Sequence, residues 1–158
     1  MICIYDMKKI VSIEKCKSNI SLFEKLIRLC NIGTIRIEVI LGDVISWLSN
    51  DKDVKKLKTN NNTSTPLYFD LIIFDHNRED YFQTLLYLLK HQLLHKDGVI
   101  VANGIGAHGT LYGNCSDYAK FVMKCHLFQN QMVYDFHDGL QDYDLDLYGS
   151  LLVSTVIQ

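Results

Sequence analysis

Polar residues or glycines follow four apolar segments of the sequence, and the polar ones have side chains of types that bind ligands. They are Glu14, Gly42 with Asp43, Asp75 with His76, and Asn103 with Gly104. Carboxylate and amide oxygens accept hydrogen bonds from ligand hydroxyls. A polar residue at the end of a strand is often only a helix cap, so each feature alone is weak evidence. Four such features at equivalent positions indicate a shared binding edge.

The segments that must position these residues alternate between strand and helix patterns. The predicted strands are 9–13, 34–41, 67–75 and 98–102, and the predicted helices are 19–30, a helix from 43, 79–94 and 116–128. Two further strands, 131–136 and 149–157, are expected to form an antiparallel hairpin. Continuous apolar strands alternating with helices predict an α/β fold with a mostly parallel sheet and helices on both faces. Such sheets bind ligands at the carboxyl ends of their strands.

Composition narrows the class of protein. The 158 residues are 48% hydrophobic, which predicts a single domain, with a mobile loop around 50–66 where the sequence is of low complexity. Sixteen basic and eighteen acidic residues give a net charge of −2, so a nucleic-acid partner is not expected. The five cysteines include no C-x-x-C pair, and no apolar segment has the length of a membrane span or the order of a signal peptide. We therefore expect a cytoplasmic protein without a membrane partner.

Two short motifs suggest other activities. The segment "GIGAHG" from Gly104 to Gly109 matches the glycine fingerprint of dinucleotide-binding oxidoreductases, but neither a helix nor the required acidic residue follows it at the expected position. The segment "HQLLH" from His91 to His95 has the histidine spacing of zinc proteases, with Gln92 in place of their glutamate. Two histidines on a helix surface are the simpler interpretation of the second motif.

The segment "FDLIIFDHNREDY" resembles the catechol O-methyltransferases, a class I family that uses S-adenosylmethionine and Mg²⁺. The family carries an aspartate–histidine pair at the end of its fourth strand, matched here by Asp75 and His76. The resemblance continues through "LLHKDGVIVAN" and "GAHGT" and, upstream, through "KKIVSIEKCKSNISLFEKLIRLCNI", so it spans roughly Lys8 to Val156. It implies a three-layer Rossmann-like methyltransferase sandwich and methyl transfer to a hydroxyl of a small catechol-like substrate.

The resemblance also implies a role for each candidate residue. Glu14 would accept hydrogen bonds from the ribose hydroxyls of the cofactor. Gly42 and Asp43 would contact its adenine, which His76 would flank. Asp75 and Asn103 would bind Mg²⁺. Asp142 would correspond to a late glutamate that holds a substrate hydroxyl. For Glu14 an exposed strand-end carboxylate, and for Asp43 a helix cap, are equally simple interpretations.

The sequence departs from the family pattern at three catalytic positions. Arg78 stands where the family has the lysine that takes the substrate proton, and a guanidinium stays protonated in proteins, so it cannot act as a conventional base. It can still stabilise a catecholate electrostatically. At the family's next two metal ligands, an aspartate and an asparagine, this chain has Asn103 and Gly104. Glycine offers no side-chain ligand.

The family's first strand and its glycine-bearing loop have no counterpart in the sequence. Only Met7 and Lys8 separate "MICIYD" from the first predicted strand, whereas a parallel crossover needs a dozen or more residues. The expectation is therefore a fold whose first strand module is missing, in a truncated chain or in one that a partner chain completes. A non-catalytic protein that binds a ligand or a partner is the alternative to an active methyltransferase.

Overall fold

The computed structural model describes residues 9–30, 36–59, 68–105, 116–134 and 150–158. Within these ranges the strands are β1 (Lys9–Glu14), β2 (Arg36–Leu41), β3 (Phe69–Phe74), β4 (Leu94–Asn103), β5 (Phe128–Tyr134) and β6 (Ser150–Val156). The α-helices are α1 (Lys17–Cys30), α2 (Val44–Ser49), α3 (Asp51–Thr59), α4 (Tyr81–Lys90) and α5 (Ser116–Lys124). A short 3₁₀ turn at Arg78–Asp80 precedes α4. The chain divides into two compact units at Asn50 and Asp51.

The first unit contains a two-stranded parallel sheet. β1 and β2 pair along their whole length, with Lys9 opposite Arg36 and Glu14 opposite Leu41. Among the described residues of this unit, Leu48 on α2 is the one buried hydrophobic residue. Leu22, Leu26 and Leu29 of α1, in contrast, are 48–80% exposed. Two strands alone are at best marginally stable in water. This small sheet leaves the three leucines of α1 largely exposed.

The second unit contains a four-stranded sheet in the order β3-β4-β6-β5. β3 and β4 are parallel, whereas β6 is antiparallel to both β4 and β5. The predicted hairpin of the last two strands is therefore confirmed, with Phe128 opposite Val156. Helices α4 and α5 contribute to a core in which Leu85, Tyr118 and Val122 are almost completely buried.

Two segments differ from the sequence-based expectation. Residues 51–59 form α3, with Val54 buried, where low complexity predicts a loop; residues 60–66 lie outside the described residues. The helix predicted for 79–94 ends at Lys90, because Gln92 adopts a positive φ of 51° and β4 begins at Leu94. His91 and His95 consequently lie on a helix cap and a strand, so they do not share a helix face.

Among the described residues, no helix combines the length and apolar character that crossing a membrane requires.

Candidate functional site

The strand ends of the first unit bring Glu14, Gly42 and Asp43 close together. Glu14 ends β1 directly opposite Leu41, the last residue of β2. The backbone N–H of Gly42 donates a hydrogen bond to the Glu14 carbonyl oxygen at 3.0 Å. Parallel strands in register end at the same edge, so the three cofactor-binding residues predicted for this unit do lie at one sheet edge.

The carboxylate of Glu14 has one fixed partner. Its Oε1 accepts a hydrogen bond from the backbone N–H of Cys16 at 2.6 Å, at the turn that leads into α1. This bond holds the side chain in place and uses only one of the two carboxylate oxygens. A carboxylate has about four acceptor sites, so hydroxyl donors can still be accommodated.

A cleft of about 200 Å³ lies beside Glu14. It is formed by β1, β2 and α1, and its lining combines three polar residues with five apolar ones: Ser12, Glu14, Asn19, Ile20, Leu22, Phe23, Leu26 and Val39. Typical small-molecule sites have volumes of roughly 300–1,000 Å³. This cleft alone therefore has room for part of a cofactor, with Glu14 as its charged group.

Asp43 caps helix α2. Its Oδ1 accepts hydrogen bonds from the Ser46 backbone N–H at 3.0 Å and from the Ser46 hydroxyl at 3.2 Å. The Ser46 N–H is the main cause that lowers the pKa of Asp43. Lys15 Nζ lies 3.7 Å from the other carboxylate oxygen, Oδ2. The cap interpretation is thus confirmed, and the contact with adenine stays a prediction.

In the second unit, the ends of β3 and β4 are joined by side chains. Asn103 donates a hydrogen bond from Nδ2 to Asp75 Oδ1 at 2.8 Å. The buried hydroxyl of Tyr81 lies 2.9 Å from the Phe74 carbonyl oxygen and 3.1 Å from that of Asn103. The two strand ends are therefore fixed against each other, which places Asp75 and Asn103 side by side as the sequence predicts.

His76 belongs to an aromatic cluster behind this edge. Its ring lies 4.8 Å from the ring of Tyr81 and 5.4 Å from that of Phe74, measured between centroids. Its Nε2 is 3.0 Å from the hydroxyl of Thr84 on α4. These contacts orient the imidazole, and its contact with adenine stays a prediction.

Arg78 and Gly104 face each other at the same edge. Gly104 follows β4 with a positive φ of 68°, a conformation that favours glycine. A methyl group added at Gly104 would come within 2.7 Å of both Cζ and Nε of Arg78. The guanidinium therefore lies where a side chain at position 104 would be.

The described residues fit the Mg²⁺ implied by the resemblance poorly. Asn103 turns its amide hydrogens, not its oxygen, toward Asp75, and Gly104 supplies no side-chain oxygen. No group of three histidine, cysteine or acidic residues suited to a metal occurs in the described ranges. Mg²⁺ prefers six oxygen ligands and is often held by one or two carboxylates, and of the two residues predicted to bind it, Asp75 and Asn103, only Asp75 carries a carboxylate.

Two features of the site were not assigned from the sequence. The Tyr81 hydroxyl donates a hydrogen bond to the Phe74 carbonyl oxygen, and the Thr84 hydroxyl bonds to His76. The apolar pattern of α4, in contrast, indicates only a core face. The polar Thr84 within that apolar pattern was the available signal. Asp142, predicted to hold a substrate hydroxyl, lies outside the described residues.

The sequence matches no protein-family model and no curated protein. Solved structures do match it. The O-methyltransferase TomG from Streptomyces achromogenes, solved with S-adenosylmethionine, is 14% identical with a TM-score of 0.62, covering 95% of this chain and 62% of TomG. The methyltransferase PaMTH1 from Podospora anserina, solved with S-adenosylhomocysteine, is 17% identical with a TM-score of 0.60, covering 95% of this chain and 61% of PaMTH1. An rRNA methylase from Streptococcus thermophilus is 12% identical with a TM-score of 0.53, covering 95% and 74%.

The chain has the fold of the class I methyltransferases. This confirms the α/β, Rossmann-like fold predicted from the sequence. The described methyltransferase fold spans about three fifths of the length of TomG and PaMTH1. At identities this low, the structural similarity establishes the fold alone. The cofactor, the acceptor and the chemistry depend on the residues of this chain.

Proposed function

We propose that this chain binds S-adenosylmethionine and transfers its methyl group to a hydroxyl oxygen of a small catechol-like acceptor. The observation that carries the proposal is the pairing of a class I methyltransferase fold with a fixed carboxylate, Glu14, at the end of β1 beside a cleft. Two of the similar structures were solved with S-adenosylmethionine or S-adenosylhomocysteine. A strand-end carboxylate is suited to accept hydrogen bonds from vicinal ribose hydroxyls.

The net charge of the chain bears on the class of methyl acceptor. The similarity to an rRNA methylase shows that this fold also occurs in enzymes named for RNA, but binding RNA demands an excess of positive charge. This chain has a net charge of −2. A small acceptor is therefore favoured, and the catechol class follows from the resemblance of "FDLIIFDHNREDY". In such a role Asp75 and Asn103 would contact the acceptor, and Mg²⁺ would supply charge neutralisation only if additional ligands completed its site.

Transfer of a labelled methyl group tests the activity directly. The purified chain is incubated with S-adenosylmethionine carrying a radioactive methyl group and with catechol, in parallel with and without Mg²⁺, and extracted products are counted. We expect label in the catechol fraction. Cofactor binding without any label transfer would instead favour the non-catalytic binding protein.

We also propose that a further strand, supplied by a partner chain, covers the outer edge of β3. The residues from Leu71 to Phe74 of the segment "FDLIIF" are apolar on both faces, which is typical of a strand inside a parallel sheet that is covered on both faces. Nevertheless β3 ends the sheet order of its unit, and Leu71 and Ile73 are 40% and 59% exposed. Open apolar edges promote association. Light scattering on the purified chain should therefore give a mass above that of one chain, and a strictly monomeric mass at all concentrations would contradict the proposal.

A further inference from the structure

The position of Arg78 has a consequence for how the acceptor is held. Its guanidinium lies over the Cα of Gly104, in the space that a side chain at that position would need. The group is partly exposed, and in the part of the chain that the structure describes no carboxylate forms a salt bridge with it. A guanidinium keeps its charge at any accessible pH and presents several N–H donors. A permanently charged cation is thus present at the strand-end edge.

The neighbouring groups favour this cation over a bound metal ion. The Asn103 amide donates to Asp75, which uses one of the carboxylate oxygens, and Gly104 is a glycine that leaves room for the guanidinium. A side chain at position 104 would displace Arg78. The glycine at position 104 thus makes room for the guanidinium, and the positive charge at this edge comes from the protein and not from a metal ion.

We propose that the Arg78 guanidinium, in place of a divalent cation, binds the ionised oxygen of a phenolic acceptor. This inference rests on the proposed methyltransferase function and names its substrate-binding group. An opposite charge within about 4–6 Å lowers the pKa of an acid by roughly 1–3 units, so the acceptor hydroxyl should ionise at a lower pH when bound than when free. Because Arg78 cannot take up the proton, the proton passes to the solvent.

Methyl transfer to this phenolate then needs neither a metal ion nor a base from the protein. The phenolate oxygen attacks the methyl carbon, an O–C bond forms and the bond from carbon to the sulfonium sulfur breaks. The bonding electron pair stays on sulfur, which leaves neutral S-adenosylhomocysteine and a methyl ether. The guanidinium stays protonated throughout.

The test uses 4-nitrocatechol, whose visible absorption reports its ionisation. The probe is titrated with the purified full chain at a pH below its first pKa, in the presence of EDTA and without S-adenosylmethionine. We expect the absorption band of the anion to appear on binding. Arg78→Met should weaken this binding by about 10-fold or more, because a hydrogen bond to a charged group is lost. Arg78→Lys should retain part of it.

Lys96→Met is the matched control, since Lys96 is an exposed lysine near the opposite end of β4. The triple variant Arg78→Lys, Asn103→Asp, Gly104→Asn restores the metal-ligand pattern of the catechol O-methyltransferases, and its anion band should require Mg²⁺. An anion band that needs Mg²⁺ in the unaltered chain, survives Arg78→Met, or is absent under every condition would overturn the proposal. Calorimetry with S-adenosylmethionine on the same samples tests the proposed function separately, and Arg78→Met should leave that binding unchanged.

Discussion

Replacing Gly104 by alanine should weaken anion binding at the β4 edge while leaving the chain folded. Gly104 has a φ of 68°, where an L-residue with a Cβ costs about 1–2 kcal/mol, so the free energy of unfolding should fall by that amount. The new methyl group would overlap the Arg78 guanidinium, which lies at the end of a flexible side chain and would move away. Binding of 4-nitrocatechol as its anion should therefore weaken by roughly 10-fold, as for loss of the arginine itself.

A double-mutant cycle separates the two effects of this substitution. In an Arg78→Met background, Gly104→Ala should still lower the free energy of unfolding, measured in urea, because the backbone strain does not depend on the arginine. It should have no further effect on the binding of 4-nitrocatechol, because the cation is already gone. An independent loss of binding in that background would contradict the pairing of Arg78 with Gly104.

Replacing Glu14 by glutamine should weaken binding of S-adenosylmethionine by about 10- to 100-fold, which corresponds to the roughly 1.5–3 kcal/mol of a hydrogen bond to a charged group. The side-chain carbonyl of glutamine can still accept the 2.6 Å bond from the Cys16 N–H, so the turn before α1 should be kept. The amide nitrogen, in contrast, donates and cannot accept a ribose hydroxyl. Isothermal titration calorimetry measures the change.

Two substitutions serve as controls for the glutamine variant. Glu24→Gln removes the same charge from an exposed position on α1 and should leave cofactor affinity unchanged. Asp43→Asn keeps a residue that caps helices as well as aspartate does, so a loss of affinity in that variant would report a contact with the cofactor and not a weakened α2. Equal affinities of the Glu14→Gln variant and the unaltered chain would show that Glu14 does not bind the cofactor.

The fold was largely predictable because apolar strands and amphipathic helices leave periodic patterns in the sequence. β1, β3 and β4 were expected within a few residues of their observed bounds, and so was the antiparallel pairing of β5 with β6. Helix α3 was missed because seven of its nine residues are charged or polar, and such a composition is shared by solvated helices and loops. The early end of α4 depends on the positive φ of Gln92, which no sequence pattern indicates.

For the candidate site, the sequence indicated which residues lie together at strand ends and less of their geometry. Strand ends placed Glu14 beside Gly42, and Asp75 beside Asn103, as parallel strands require. The sequence also showed that Arg78 and Gly104 depart from the catechol O-methyltransferase pattern. The Arg78 guanidinium lies where a side chain at position 104 would be, and this contact depends on the tertiary structure. The two residues are 26 positions apart, and no local sequence pattern connects a side chain to a distant glycine.

Calorimetric titration of S-adenosylmethionine into the purified chain measures directly whether the chain binds this cofactor. Circular dichroism on the same sample verifies that the chain is folded. We expect binding in the micromolar range with one cofactor per chain, and weaker binding by the Glu14→Gln variant. A folded chain that releases or takes up no heat and shows no binding at any cofactor concentration would contradict it, because the methyltransferase fold would then serve a role that does not involve the cofactor.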